Sequence, residues 1–144
     1  MIGEPHRDVR HLLERMIACA GDVPIVVEAP TPAKLRSADV LVVETAAPRG
    51  AMLAQLARAA NPLLPIVCAS VAVPSRELAG IVDFAAVLVK PYTAEQLLGA
   101  VDQALEASSS AAAASAKATV GAGSSVAAKN ASTRPQASRA ASGR

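Results

Sequence analysis

Three polar side chains each close an apolar run in this chain of 144 residues. Glu44 follows Ala38-Asp39-Val40-Leu41-Val42-Val43, Ser70 follows Pro65-Ile66-Val67-Cys68-Ala69, and Lys90 follows Val87-Leu88-Val89. A carboxylate can attack an electrophile or hold a cation, a hydroxyl can donate to an anion, and an ammonium can pair with one. In many α/β domains the same residue types are only solvated polar caps. Position argues for more here, because in an open parallel sheet the carboxyl ends of the strands are where sites form.

Other candidates are weaker. His6 and His11 lie at or on a charged helix, where a solvated imidazole is the ordinary role. Arg49 and Arg76 fall in loops near the same strand ends and could contact an anion. Cys19 and Cys68 have neither a Cys-x-x-Cys motif nor a metal-ligand spacing, and are expected as small core residues. There is no nucleophile–base pair and no phosphate-cradling glycine loop. No catalytic residue, no metal ligand and no enzyme activity are therefore expected.

Hydrophobic periodicity supplies the elements that position these groups. Val9, Leu12, Leu13, Met16 and Ile17 recur at spacings of three and four, which predicts a helix over 5–20 ended by Gly21. Residues 23–27 are a short β-branched run, and Thr31-Pro32 opens a brief helix. A strand at 40–43 leads to a helix with Met52, Leu53, Leu56 and Ala60 inward, stopped by Asn61-Pro62. A strand at 65–69, a short helix at 74–80 and a strand at 84–89 follow, and Thr93 caps a last helix with Leu97, Leu98, Val101 and Leu105 inward. Helices alternating with continuous apolar strands predict an α/β fold, a three-layer open parallel sheet covered on both faces. Before the first helix only Met1-Ile2 could belong to a strand, so the first strand is expected to be largely missing.

Composition divides the chain at about residue 107. Residues 108–144 are Ser, Ala and Gly with a few basic side chains, and Val120 and Val126 are their only large apolar residues. Such a segment cannot offset its ordering entropy, which predicts a folded unit over 1–107 and a disordered basic tail over 108–144. The first part has 9 basic and 12 acidic residues, the second 5 basic and none acidic, so a net +2 hides regions of opposite sign. Without aromatics or a dense cationic cluster, the tail is expected to offer only a weak polyanion contact. No apolar run approaches the ~18–20 residues that span a bilayer, and the N-terminus lacks a signal-peptide core, so a cytoplasmic protein without a membrane partner is expected.

Four segments, in order, resemble the receiver domain of two-component response regulators over nearly all of residues 1–107. Glu4-Pro5 and Val9-Arg10-His11-Leu12-Leu13 are similar to its acidic turn and first helix, and Ala38–Glu44 with Pro48 and Gly50 to its phosphoacceptor strand and loop. Pro65–Ser70 is similar to the switch strand, and Leu88-Val89-Lys90-Pro91-Tyr92 with Thr93–Leu97 to its last strand and helix. The resemblance implies a flavodoxin-like receiver fold. In active receivers an aspartate matching Glu44 attacks the phosphoryl group, and Mg²⁺ held by it and an upstream acidic pair neutralises charge. The positions matching that pair are Ile2 and Gly3, leaving Glu4 as the nearby carboxylate. No cofactor is therefore expected, with Mg²⁺ implied only if an upstream segment restores the pocket. Glutamate is one methylene longer than aspartate, in a geometry sensitive at about 1 Å. What is implied at Glu44 is a fixed charge approximating the phosphorylated state, with Ser70 donating to it, Lys90 pairing with it and Pro91 in a cis-peptide. The aromatic rotor of many receivers is Val87 here, and the segments after Pro32 and Ser70 are short for the family.

The expectation is an atypical receiver-like signalling module in a phosphorelay or related pathway, not phosphorylated in the usual way, which meets a signalling protein through its last strand and helix. Two other readings stay open on sequence. One is a phosphorylatable single-domain response regulator whose start lies upstream, since a missing strand should leave a gap in the middle of the sheet. The other is a polyanion-binding protein acting through its tail.

Overall fold

The computed structural model describes residues 1–27 and 29–121. The elements are β1 (Ile2–Gly3), α1 (Arg7–Cys19), α2 (Pro32–Arg36), β2 (Leu41–Val43), α3 (Pro48–Ala60), β3 (Ile66–Ser70), α4 (Arg76–Val82), β4 (Ala86–Val89) and α5 (Ala94–Gly121). The four strands pair in parallel in the order β1-β2-β3-β4, and Ile2 also bridges Val26 on its other side. This is the α/β open sheet expected from the alternation of periods.

The centre of the sheet is not a gap. Ile2 N donates to Ile25 O at 2.8 Å and Val27 N to Ile2 O at 3.1 Å, while Val42 N donates to Met1 O at 2.9 Å and Glu44 N to Gly3 O at 3.1 Å. Both edges of β1 are thereby paired. Two residues suffice because β2 is itself only three residues long. The run 23–27 contributes one bridge rather than a full strand, and Pro24 within it has no N–H to donate.

Helix starts follow their capping chemistry. Thr31 Oγ1 accepts from Lys34 N at 3.4 Å, and Ser75 Oγ from Leu78 N at 3.2 Å. At α5, Thr93 Oγ1 accepts from Gln96 N at 3.2 Å while Gln96 Oε1 accepts from Thr93 N at 2.9 Å, a reciprocal capping box. That helix runs on to Gly121, so residues 108–121 are helical where the sequence reading starts a disordered tail. Alanine has the highest helix propensity, and extending an existing helix needs no new nucleus. The rest of the proposed tail, 122–144, lies outside the described residues.

Alternating strand residues build two cores. Ile2, Val42, Val67 and Ala69 meet Leu13 and Ile17 of α1 and Leu97, Ala100, Val101 and Ala104 of α5. On the other face Leu41, Val43 and Ile66 meet Leu35, Leu53, Ala54, Ala57, Leu78 and Val82. Each large aliphatic side chain fully buried there contributes about 1.5–3 kcal/mol. Three expected core positions move outward: Met52 and Leu56 of α3 and Leu12 of α1 are about half exposed. The inward face of α3 is instead Gly50, Leu53, Ala54 and Ala57. Small residues on that face let the helix axis approach the sheet, which a Met/Leu stripe would prevent. Cys19, also expected inside, is exposed at the end of α1, whereas Cys68 is buried.

Two contacts fix α3 against its neighbours. A Cβ added at Gly50 would lie 1.6 Å from the Glu44 carbonyl oxygen, so only glycine lets the first turn of α3 close under the end of β2. At the other end Arg58 Nε donates to Val82 O at 2.6 Å and Nη2 to Asp83 O at 3.0 Å, covering carbonyls left open at the end of α4. No described helix is long and apolar enough to cross a membrane. The Gly50→Ala variant is expected to lose about 3 kcal/mol of stability through this backbone clash, read as a lower urea midpoint at unchanged slope.

Candidate functional site

Parallel register brings four strand ends to one edge of the sheet. Gly3 pairs with Val43 and Ser70 with Val89, so Glu4 emerges beside Glu44, and Ser70 beside the end of β4 where Lys90 follows. Lys90 N donates to Ser70 O at 2.8 Å, which anchors the lysine next to the serine. Each strand thus delivers one polar side chain: Glu4 from β1, Glu44 from β2, Ser70 from β3 and Lys90 from β4.

These groups form one connected cluster. Lys90 Nζ lies 2.7 Å from Glu44 Oε2 and 2.7 Å from Glu4 Oε2. Ser70 Oγ donates to Glu44 Oε1 in a very short hydrogen bond, and Ala46 N donates to the same oxygen at 2.9 Å. Ala46 N also reaches Ser70 Oγ at 3.2 Å. The second oxygen of Glu4 accepts from His6 N at 2.9 Å, just before α1 begins. All four carboxylate oxygens have a donor. The side chains of Glu4 and Glu44 are only 2% and 5% exposed, and that of Lys90 18%.

Burial and pairing oppose each other in the ionisation of the cluster. Burial pushes the Glu44 carboxyl up, but hydrogen bonds from Lys90, Ser70 and the Ala46 amide outweigh it and hold the group below the ordinary carboxylate range. Burial likewise pulls the Lys90 ammonium down, and the two glutamates more than reverse this, so it stays charged above the ordinary lysine value. Cys68 beneath the site is pushed up by burial, which keeps it a thiol, and its sulfur sits 3.1 Å from Thr45 Oγ1. The Tyr92 hydroxyl is buried without a hydrogen-bond partner among the described residues.

The Lys90–Pro91 bond is cis. Ile2, matched by resemblance to a metal-binding position, is fully buried in the core, and Gly3 packs against Leu53, so neither offers a ligand. Glu4 is more than the remnant of an acidic pair that the sequence suggests, since the register makes it an equal partner of Glu44 on the lysine. Its place beside Glu44 was the signal sequence reasoning lacked: the pairing of β1 with β2 cannot be read from a two-residue strand. His11, Arg49 and Arg76 are exposed and stand outside the cluster's hydrogen bonds, and the exposed His6 enters them through its backbone amide alone. A groove of about 470 Å³ opens beside the site, lined by residues such as Thr45, Pro48, Val73 and Ile81, and none of the four clustered side chains lines it.

The donor set does not fit Mg²⁺. That ion demands near-octahedral oxygen ligands at about 2.0–2.1 Å. Here the oxygens facing inward from both glutamates are already held by an ammonium at 2.7 Å. Among the described residues no group of three or more His, Cys, Asp or Glu is placed to hold a metal ion.

A parallel four-stranded α/β domain with an acidic and a basic side chain joined at the carboxyl edge belongs to the class of doubly wound domains that carry their sites there. Comparison with solved structures is more specific. The fold is similar to NtrX from Brucella abortus, solved in complex with ADP, at 20% identity and a TM-score of 0.64, over 79% of this chain and 27% of that one. It is similar to a response regulator receiver protein from Sinorhizobium medicae WSM419, at 27% identity and 0.58, over 74% of this chain and 93% of that one. It is also similar to the chemotaxis protein CheY4 of Vibrio cholerae, at 19% identity and 0.62, over 72% and 95%. No family model and no curated protein matches the chain. The chain has the receiver-domain fold of response regulators.

Two outcomes follow from the cluster. Ser70→Ala removes a fully buried hydroxyl that serves Glu44 and Ala46 together, and is expected to cost about 1–3 kcal/mol in urea unfolding. Stability should also show a plateau in pH. Glu44 has a lowered folded pKa, so its contribution is complete above the unfolded value of about 4.3 and is lost as pH falls through the folded one. Lys90 has a raised folded pKa, so its contribution is complete below the unfolded value of about 10.4 and is lost as pH rises through the folded one. Urea midpoints measured across that range should be flat between these limits and fall on both sides, and Glu44→Gln should flatten the acid side.

Proposed function

We propose that this domain is a non-enzymatic signalling module of the receiver type that does not accept a phosphoryl group and works by presenting a fixed surface to a protein partner. The observation that carries this reading is the state of Glu44. A hydroxyl, a backbone amide and an ammonium already converge on its two oxygens. These are the kinds of donor an added phosphoryl group would need, and they are spent on the unmodified side chain. A glutamate so engaged is poorly placed as a nucleophile, and the absence of side-chain oxygens at Ile2 and Gly3 removes ligands that would bring a metal to it.

The partner surface is best sought on β4 and α5. Lys90 ties the end of β4 into the charged cluster, so the geometry of that strand depends on Glu44. Val87 and Val89 expose 43% and 44% of their surface on the same strand and could be covered by a partner. The basic segment beyond α5 gives a weaker polyanion reading, which rests on composition alone.

Incubation with acetyl phosphate and Mg²⁺, followed by intact-mass measurement, is expected to leave the protein unmodified. Stable addition of one phosphoryl group that disappears in Glu44→Gln would overturn the proposal.

A further inference from the structure

We propose that the Lys90 ammonium is the resident cation of this site, doing the electrostatic work a divalent ion would do, and that removing it converts the pocket into a divalent-cation site. This rests on the reading of Glu44 as a fixed group and extends it to how the site is held together. Two carboxylates from adjacent strands, almost fully buried, repel each other unless a cation lies between them. Lys90 supplies that cation from the protein itself, with one donor to each glutamate at 2.7 Å. Its backbone is pinned to Ser70, so the ammonium is delivered at high local concentration. A dissolved Mg²⁺ would have to expel a tethered charge and shed water that it releases reluctantly.

The remaining oxygens explain why the pocket accepts one small cation and no larger cluster of ligands. Glu4 Oε1 is held by the His6 amide, and Glu44 Oε1 by Ser70 and Ala46. The open valence of the site is therefore the pair of Oε2 atoms that face Lys90. When a side chain without charge replaces the lysine, those two oxygens face each other across a partly solvent-accessible space. Two carboxylate oxygens completed by water are a usual set for a hard divalent ion.

The test compares the wild-type chain with Lys90→Met, which keeps the apolar stem and removes the charge. Thermal unfolding of the wild type is expected to be unchanged by about 10 mM Mg²⁺, while K90M unfolds several degrees lower without metal and recovers at least half of that loss with it. Water-proton relaxation with Mn²⁺ is expected to show one bound ion in K90M and none in the wild type, with the K90M signal lost in the K90M/E44Q double variant. A wild-type chain that binds one Mn²⁺ at the Glu44 site, or a folded K90M indifferent to both ions, overturns the inference. If K90M is unfolded with and without metal, the wild-type Mn²⁺ titration decides alone: one ion per chain counts against the inference and none supports it. Acetyl phosphate labelling reads the proposed function separately, since a metal-free wild type that is nonetheless phosphorylated refutes that function without touching the cation assignment.

Discussion

One ammonium holds the carboxyl edge of this sheet together. Lys90 at the end of β4 reaches past β3 to Glu44 and Glu4, at the ends of β2 and β1, so a single side chain links the ends of three strands. The attraction is strong because the glutamates are shielded from water, and for the same reason each would be costly to leave alone. Hydrogen bonds from Ser70, Ala46 and His6 complete the arrangement by satisfying the oxygens that the lysine does not reach. The site is thus a closed electrostatic unit with two negative charges, one positive charge and several oriented N–H and O–H dipoles.

Keeping that unit closed constrains the layer beneath it. The backbone of Glu44 must stay where its oxygens meet Ser70 and Lys90, and the first turn of α3 packs directly on its carbonyl, where Gly50 leaves room. Ala54 and Ala57 continue the same close approach along the helix. Both cores are correspondingly built almost wholly from Ala, Val, Leu and Ile, with the aromatic Phe84 and Tyr92 only at their margins. Position-holding at the site and economy of the core are therefore the same structural choice.

Much of this arrangement is legible in the sequence, because strand ends and caps are local. The polar residues that close apolar runs, Glu44, Ser70 and Lys90, meet as their positions suggest, and Thr31 and Thr93 cap the helices they precede. What escapes a sequence reading is relational. A strand of two residues has no periodicity, so nothing local marks Ile2–Gly3 as central or Glu4 as a neighbour of Glu44. The inward face of α3 is decided by how near the helix can come to the sheet, and that favours Ala and Gly over the more hydrophobic Met52 and Leu56. Likewise the continuation of α5 past residue 107 depends on a helix already nucleated by packing upstream, which composition taken segment by segment does not register.

The length of the glutamate side chain ties these points to the proposed role. An aspartate at position 44 would carry its carboxylate one methylene closer to β2, and the three donors now gathered on Glu44 would then face a gap that an added group could fill. Glutamate fills the gap itself. Under the proposed function, a side chain that occupies this spot covalently makes the charge there a property of the sequence. The second contact of Lys90, with Glu4, ties β1 into the same network. The ends of β1, β2 and β4 are thus held in one geometry by ion pairs within the chain, and the exposed face of β4 is set by the same contacts that fix Glu44.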